Sequence, residues 1–105
     1  MVERKKVGEA ERLPVELTLE QRTLILDHTF ADPELTERLA LTPVAGEKVV
    51  VGYTLSDIEE LMGFVAAEAN HTKDRKLERK LRRLWEYLRT FEDRYEDELS
   101  APRPM

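Results

Sequence analysis

The firmest constraint on this chain lies late in it. Leu77, Leu81, Leu84, Leu88, Phe91 and Tyr95 follow one another in alternating steps of four and three residues. That spacing keeps the side chains on one side of an α-helix and forms a seam along which a second helix packs. It predicts a helix from about Thr72 to Leu99 whose apolar ridge must be covered, because most helical stability in proteins comes from packing. Trp85 and Tyr87 flank the seam and widen it beyond the stripe one neighbouring helix covers. Part of the ridge is expected to meet the preceding helix of the same chain. The remainder is expected to meet another chain, with the large rigid aromatics as anchors. The expected interaction surface is therefore Leu77, Leu81, Leu84, Trp85, Leu88, Phe91 and Tyr95.

The charges on this helix are segregated. Residues 73 to 83 carry seven basic and two acidic side chains, and residues 92 to 98 carry five acidic and one basic. Both ends oppose the helix macrodipole, at about 0.3 to 1 kcal/mol per well-placed charge. An antiparallel homodimer removes the conflict by laying the basic half of one helix beside the acidic half of the other. The bland alternative is a seam packed only within the monomer and charges that face water, since exposed ion pairs contribute little. A further alternative is a nucleic-acid-associated regulator whose Lys73, Arg75, Lys76, Arg79, Lys80, Arg82 and Arg83 contact phosphates. It is less favoured, because the block has no interleaved aromatics for stacking and the acidic end repels nucleic acid.

Upstream, Pro14-Val15-Glu16-Leu17-Thr18 alternates apolar and polar residues as a short strand does, and Thr18 with Gln21 has the capping-box spacing of a helix start. A helix from about 19 to 28 follows. Leu24, Ile25 and His28, with Leu17 and Leu19 leading in, form its buried stripe, and Phe30 packs just past its end. Asp32-Pro33-Glu34 starts a second short helix to about Leu41, with Asp32 as cap and Pro33 at the first helical position. Lys48-Val49-Val50-Val51-Gly52-Tyr53 is the best strand, rich in β-branched residues. Thr54-Leu55-Ser56-Asp57 then opens a third helix, capped by Ser56 with Glu59, whose apolar face is Ile58, Leu61, Met62, Val65 and Ala69. Gly63 within it permits close helix approach, and Asn70-His71-Thr72 ends or bends it.

The two strand-to-helix joints echo each other. Val15-Glu16-Leu17-Thr18-Leu19 aligns with Val51-Gly52-Tyr53-Thr54-Leu55. The expected use is structural: the two strands pair and set their helices against one another. The fold class is thus α+β, mainly α, with four helices and a small two-stranded sheet in the order strand, helix, helix, strand, helix, helix. Residues 1–12 and 100–105 read as loose tails around a single domain at 13–99.

Roughly 85 residues are left to build a core, a size at which a partner often helps. A net charge of −5 argues against a generally basic nucleic-acid binder. The chain has no cysteine, which removes disulfides, thiolate metal sites and thiol nucleophiles, and it fits a reducing compartment. No apolar run approaches the roughly 18 residues of a membrane span, and no signal peptide follows Arg4, Lys5 and Lys6. The expected location is the cytoplasm.

Catalytic chemistry finds little purchase. Glu68 and His71 share a helical face as in carboxylate-bridged di-metal bundles, yet those sites need a second such pair. His28 beside Asp27 has no spaced co-ligands. Ser56 reads as a cap and Ser100 lies in a tail, so no triad can be drawn. The four glycines are scattered and form no phosphate-cradling loop. The expectation is no enzyme, no metal and no cofactor.

The run Leu17-Thr18-Leu19-Glu20-Gln21-Arg22, the later Tyr53-Thr54-Leu55-Ser56-Asp57-Ile58 and the stretch Ala66 to Leu84 resemble the small domain found alone or trailing plasmid ORF-three-like proteins of the pRiA type. The likeness spans about residues 13 to 90. It implies a bacterial, cytoplasmic origin and no activity, and it assigns no functional residue. The sequence therefore points to a protein-interaction or self-association module, accessory to another bacterial protein or paired with itself.

Overall fold

The computed structural model describes residues 5–97. The fold is α+β and mainly helical. In chain order it comprises β1 (Lys5–Val7), β2 (Arg12–Thr18), α1 (Leu19–His28), α2 (Pro33–Leu41), β3 (Lys48–Thr54), α3 (Leu55–His71), α4 (Arg75–Arg94) and β4 (Tyr95–Asp97). β2 and β3 pair antiparallel, and β1 pairs with β4 in parallel.

The β2–β3 ribbon fixes everything around it. Val15 sits opposite Val51, Arg12 opposite Thr54 and Thr18 opposite Lys48. The offset that carries Thr18 onto Thr54 also carries Val15 onto Val51 and Arg12 onto Lys48, so the register is two-fold about the Val15–Val51 pair. Leu13, Val15 and Leu17 on one strand and Val49, Val51 and Tyr53 on the other are all buried on the helix side. The alternating side chains face water, as strand geometry requires. Gly46, at φ +67, makes the turn into β3, a left-handed conformation that favours glycine.

Both joints use one device. Thr18 and Thr54 are the last extended residues, at φ/ψ −72/164 and −71/163, and each hydroxyl accepts from the backbone amide three residues on. Gln21 and Asp57 reach back to the threonine amides and complete a capping box at each joint. The expected Ser56 and Glu59 cap is therefore replaced by Thr54 and Asp57. Ser56 already lies in the first helical turn, where its hydroxyl is past the orphan amides.

Several expectations change around α1 and the chain ends. His28 and Leu19 are exposed rather than part of the buried stripe, and Phe30 projects into solvent at 90% exposure. Only Leu24 and Ile25 of α1 are buried. α1 stops after ten residues at the extended Thr29, so His28 and Phe30 lie past its last buried residue, Ile25, while Leu19 stands at its exposed first position. Residues 5–12 are no loose tail, since Val7 is 2% exposed and its strand pairs with β4. That pairing also ends α4 at Arg94, because Tyr95 turns extended to meet Lys5. Residues 98–105, including Leu99 and the expected C-terminal tail, lie outside the described residues. At its start α4 is capped by Asp74, whose Oδ1 accepts from the amides of Lys76 and Leu77, so the helix begins at Arg75 rather than Thr72.

A polar clasp joins the two halves. The Tyr53 side chain is fully buried and its hydroxyl donates to the Leu35 carbonyl at 2.6 Å. Burial pushes this phenol up to about 12, with the nearby Asp57 charge adding to the rise and Arg38 opposing it. Arg38 of α2 lies over the Tyr53 ring, pairs with Asp57 at 3.0 Å and donates to the Gly52 carbonyl. A cap residue of α3 is thereby tied to α2.

Candidate interaction surface

The heptad seam of α4 is spent inside the domain. Leu81 and Leu88 are fully buried, Leu84 is 1% exposed and Phe91 6%. Leu77, Trp85, Tyr87 and Tyr95 are partly buried against the same core. The part of the ridge expected to be covered from within is Leu81, Leu84, Leu88 and Phe91, which leaves only Leu77, Trp85, Tyr87 and Tyr95 with exposed surface. α3 and the inward face of the β2–β3 ribbon supply a wider cover than one helix would. Even Tyr87 is engaged: its hydroxyl donates to the Glu16 carbonyl of β2 at 2.6 Å. Burial raises its pKa above the ordinary value, chiefly by desolvation. Tyr95 stacks on Phe91 beyond the end of the helix.

The edges of the ribbon are partly blocked to an added strand. Pro14 has no amide hydrogen, so its pair with Gly52 is of the non-hydrogen-bonded kind and both residues point their backbone groups outward. Arg38 occupies the Gly52 carbonyl, Tyr87 that of Glu16, and Ala45 bridges to Lys48. Proline and covering side chains are the ordinary means by which a sheet edge resists further pairing.

The outer side of the α3–α4 hairpin remains. The link at residues 72–74 is short, and Asn70 lies beside Arg82 while Ala66 and Trp85 line one groove, so the helices run in opposite directions. The groove has a volume of about 280 Å³ and is lined by Ala66, Ala69, Asn70, Arg82, Trp85 and Glu86. Arg89 lies over the Trp85 ring at 5.5 Å from its centre and forms one shoulder. Arg75, Arg82, Glu86, Arg89 and Asp93 recur on this side at helical spacing, opposite the buried seam.

Charge along this face is incompletely neutralised. Of the basic block, Arg82 pairs with Glu78 at 2.8 Å and Lys80 with Glu20 at 3.2 Å. Among the described residues Lys73, Arg75, Lys76, Arg79 and Arg83 have no acid within ion-pair reach, and Glu86, Glu92 and Asp93 have no cation. Of the acidic run read from the sequence, only Glu92 and Asp93 lie on α4, beside Arg94, while Glu96 and Asp97 belong to β4, so the helix keeps a strongly basic first half and a weakly acidic end.

No protein-family model, no curated protein and no solved structure matches this chain.

The close helix approach expected at Gly63 is not used within the monomer. A β-carbon there would meet nothing within 4 Å, so the glycine does not serve helix packing inside the monomer. With Ala66, Ala67 and Asn70 it makes a small-residue stripe at steps of three, four and seven, a signal visible in the sequence but overshadowed by the leucines. Glu68 and His71 line a shallow groove with Phe30, Phe64 and Ala67. Among the described residues no group of three or more histidine, cysteine or acidic side chains could hold a metal ion. No helix among them is long and apolar enough to cross a membrane.

Proposed function

We propose that this chain is a protein-interaction module that associates with a second copy of itself, antiparallel, through the outer side of the α3–α4 hairpin rather than through the leucine seam. The observation that carries this reading is the uncompensated polarity of α4. Arg75, Lys76, Arg79 and Arg83 in the first half and Glu86, Glu92 and Asp93 in the second make no ion pair among the described residues, while Lys80 and Arg82 are paired within the chain. A second copy turned end for end supplies both missing partners at once. Complementary charge sets orientation and speeds encounter, and the small apolar groove supplies the contact that holds. An accessory role in a bacterial cytoplasm, in keeping with the resemblance to the pRiA-type tail domain, belongs to the same proposal.

Sedimentation of the full chain over a range of protein and salt concentrations tests it. The expected result is a monomer–dimer equilibrium that shifts towards monomer as salt rises, because charges beyond about 10 Å are screened at 0.1 M. A monomer at every concentration and at low salt overturns the reading.

One observation favours a second reading. Lys76, Arg79 and Arg83 lie on one flank of α4 at steps of three and four, in no ion pair among the described residues, a geometry suited to successive phosphates. That reading predicts a salt-sensitive gel shift with duplex DNA or RNA, lost on reversing Arg79 and Arg83 to glutamate.

A further inference from the structure

We infer that the second copy seats its own α3–α4 hairpin across the groove between Ala66 and Trp85, with the two-fold axis near the middle of α4. This deepens the self-association reading and rests on it. Three features converge on that site.

The first is space. Gly63 stands in the interior of a seventeen-residue helix, where glycine costs about 1 kcal/mol relative to alanine, yet nothing in the monomer uses its missing side chain. A helix from another copy approaching over Gly63 and Ala66 makes use of it. The second is an anchor. Trp85 is the one tryptophan of the chain, partly buried, and its exposed part forms a wall of the groove beside the small floor of Ala66 and Ala69. Trp is the residue type most enriched at the centres of interfaces.

The third is charge. With the axis over the middle of α4, Arg82 comes beside the partner's Glu86, and Arg75 beside the partner's Asp93. The hairpin tip, rich in cations, then overlies the base of the other hairpin, where Glu92 and Asp93 stand without cations among the described residues. The competing apolar feature, Phe30 beside Phe64 and His71, has no such complement, and nothing in the structure shows what covers it.

Sedimentation equilibrium of four full-length variants tests the assignment. Gly63→Leu fills the open space and is expected to weaken the dimer at least about tenfold, a change of about 1.4 kcal/mol. Arg75→Glu and Asp93→Arg are each expected to weaken it. Neither endangers the fold, because both place the charge that the helix dipole favours. The double variant Arg75→Glu/Asp93→Arg restores the pairing with its signs exchanged and is expected to recover most of the wild-type association. Circular dichroism verifies that each variant is helical. A wild-type chain that stays monomeric defeats the self-association reading and this inference together. A wild-type dimer that is indifferent to Gly63→Leu, or a double variant no stronger than the singles, overturns this assignment alone and leaves self-association standing on another surface.

Discussion

The β2–α1–α2 half and the β3–α3–α4 half begin alike and end differently. Thr18 and Thr54 hold nearly identical torsions, and each closes a capping box with the residue three positions on. Beyond the caps the halves part. α1 and α2 bury two residues each, whereas α3 buries six and α4 four. The caps determine where a helix starts, and burial determines how much of the molecule depends on it. The second half is also the one with an outer face that the monomer leaves unfinished.

The strongest way to probe this asymmetry is to cut into each core separately. Leu88→Ala, in the fully buried seam of α4, is expected to cost about 2 to 5 kcal/mol in urea unfolding, as core truncations do. Leu24→Ala, in the short α1, is expected to fall at or below the bottom of that range. Equal losses would mean that the first half is as deeply integrated as the second.

Alkaline pH probes the clasp between the halves. The Tyr53 phenol is neutral while it keeps its proton, and a folded-state value of about 12 against the ordinary 10.0 means the native chain holds that proton longer. The associated stability is complete below pH 10 and is lost as pH rises towards 12, a loss of roughly 2 to 3 kcal/mol. Tyr53→Phe is expected to remove that slope from a series of unfolding curves between pH 9 and 12, at a cost near neutrality of about 1 kcal/mol for the lost hydrogen bond to the Leu35 carbonyl. A slope unchanged by the substitution would locate the alkaline sensitivity elsewhere.

The paired caps can be compared directly. Gln21→Ala removes only a capping contact at the exposed first joint and is expected to cost at most about 1 kcal/mol. Asp57→Ala removes the cap contact and also leaves Arg38 with only the exposed Glu34 carboxylate at 3.7 Å. It is expected to cost about 1.5 to 3 kcal/mol by thermal or urea unfolding. Matching values would show that the tie to α2 adds nothing.

The smallest effect has the opposite sign. Gly63→Ala is expected to raise monomer stability by up to about 1 kcal/mol, because the added methyl meets open space in a helix interior. The same variant is expected to weaken self-association, so stability and pairing should move apart. A substitution that destabilises the monomer would mean that the site is more crowded than the structure describes.

Much of the architecture was legible beforehand. The extents of α1 and α2, the strand at β3, the apolar face of α3 and the leucine seam of α4 all follow from periodicity and caps written in adjacent residues. Two failures were local, the caps of α3 and α4, where Thr54 and Asp74 hold the amides expected of Ser56 and Thr72; the others depended on contacts distant in sequence. Lys5–Val7 and Tyr95–Asp97 form strands only because each segment finds the other across nearly the whole chain. Phe30, large and apolar, has every compositional reason to be buried, yet the short α1 carries it past the edge of the core. In the candidate surface the charge segregation was legible and the groove was not, because its walls belong to two helices.

Local chemistry by itself fixed where helices start, which side of each faces inward, and the opposed charge on the two ends of α4. Those properties depend on near neighbours along the backbone, through hydrogen bonds and side-chain spacing. Only the tertiary structure decided that the leucine seam is consumed internally and that Gly63 and Trp85 face outward. Burial is a property of what surrounds a residue in space, and an apolar stripe looks the same in sequence whether its own fold or a stranger covers it.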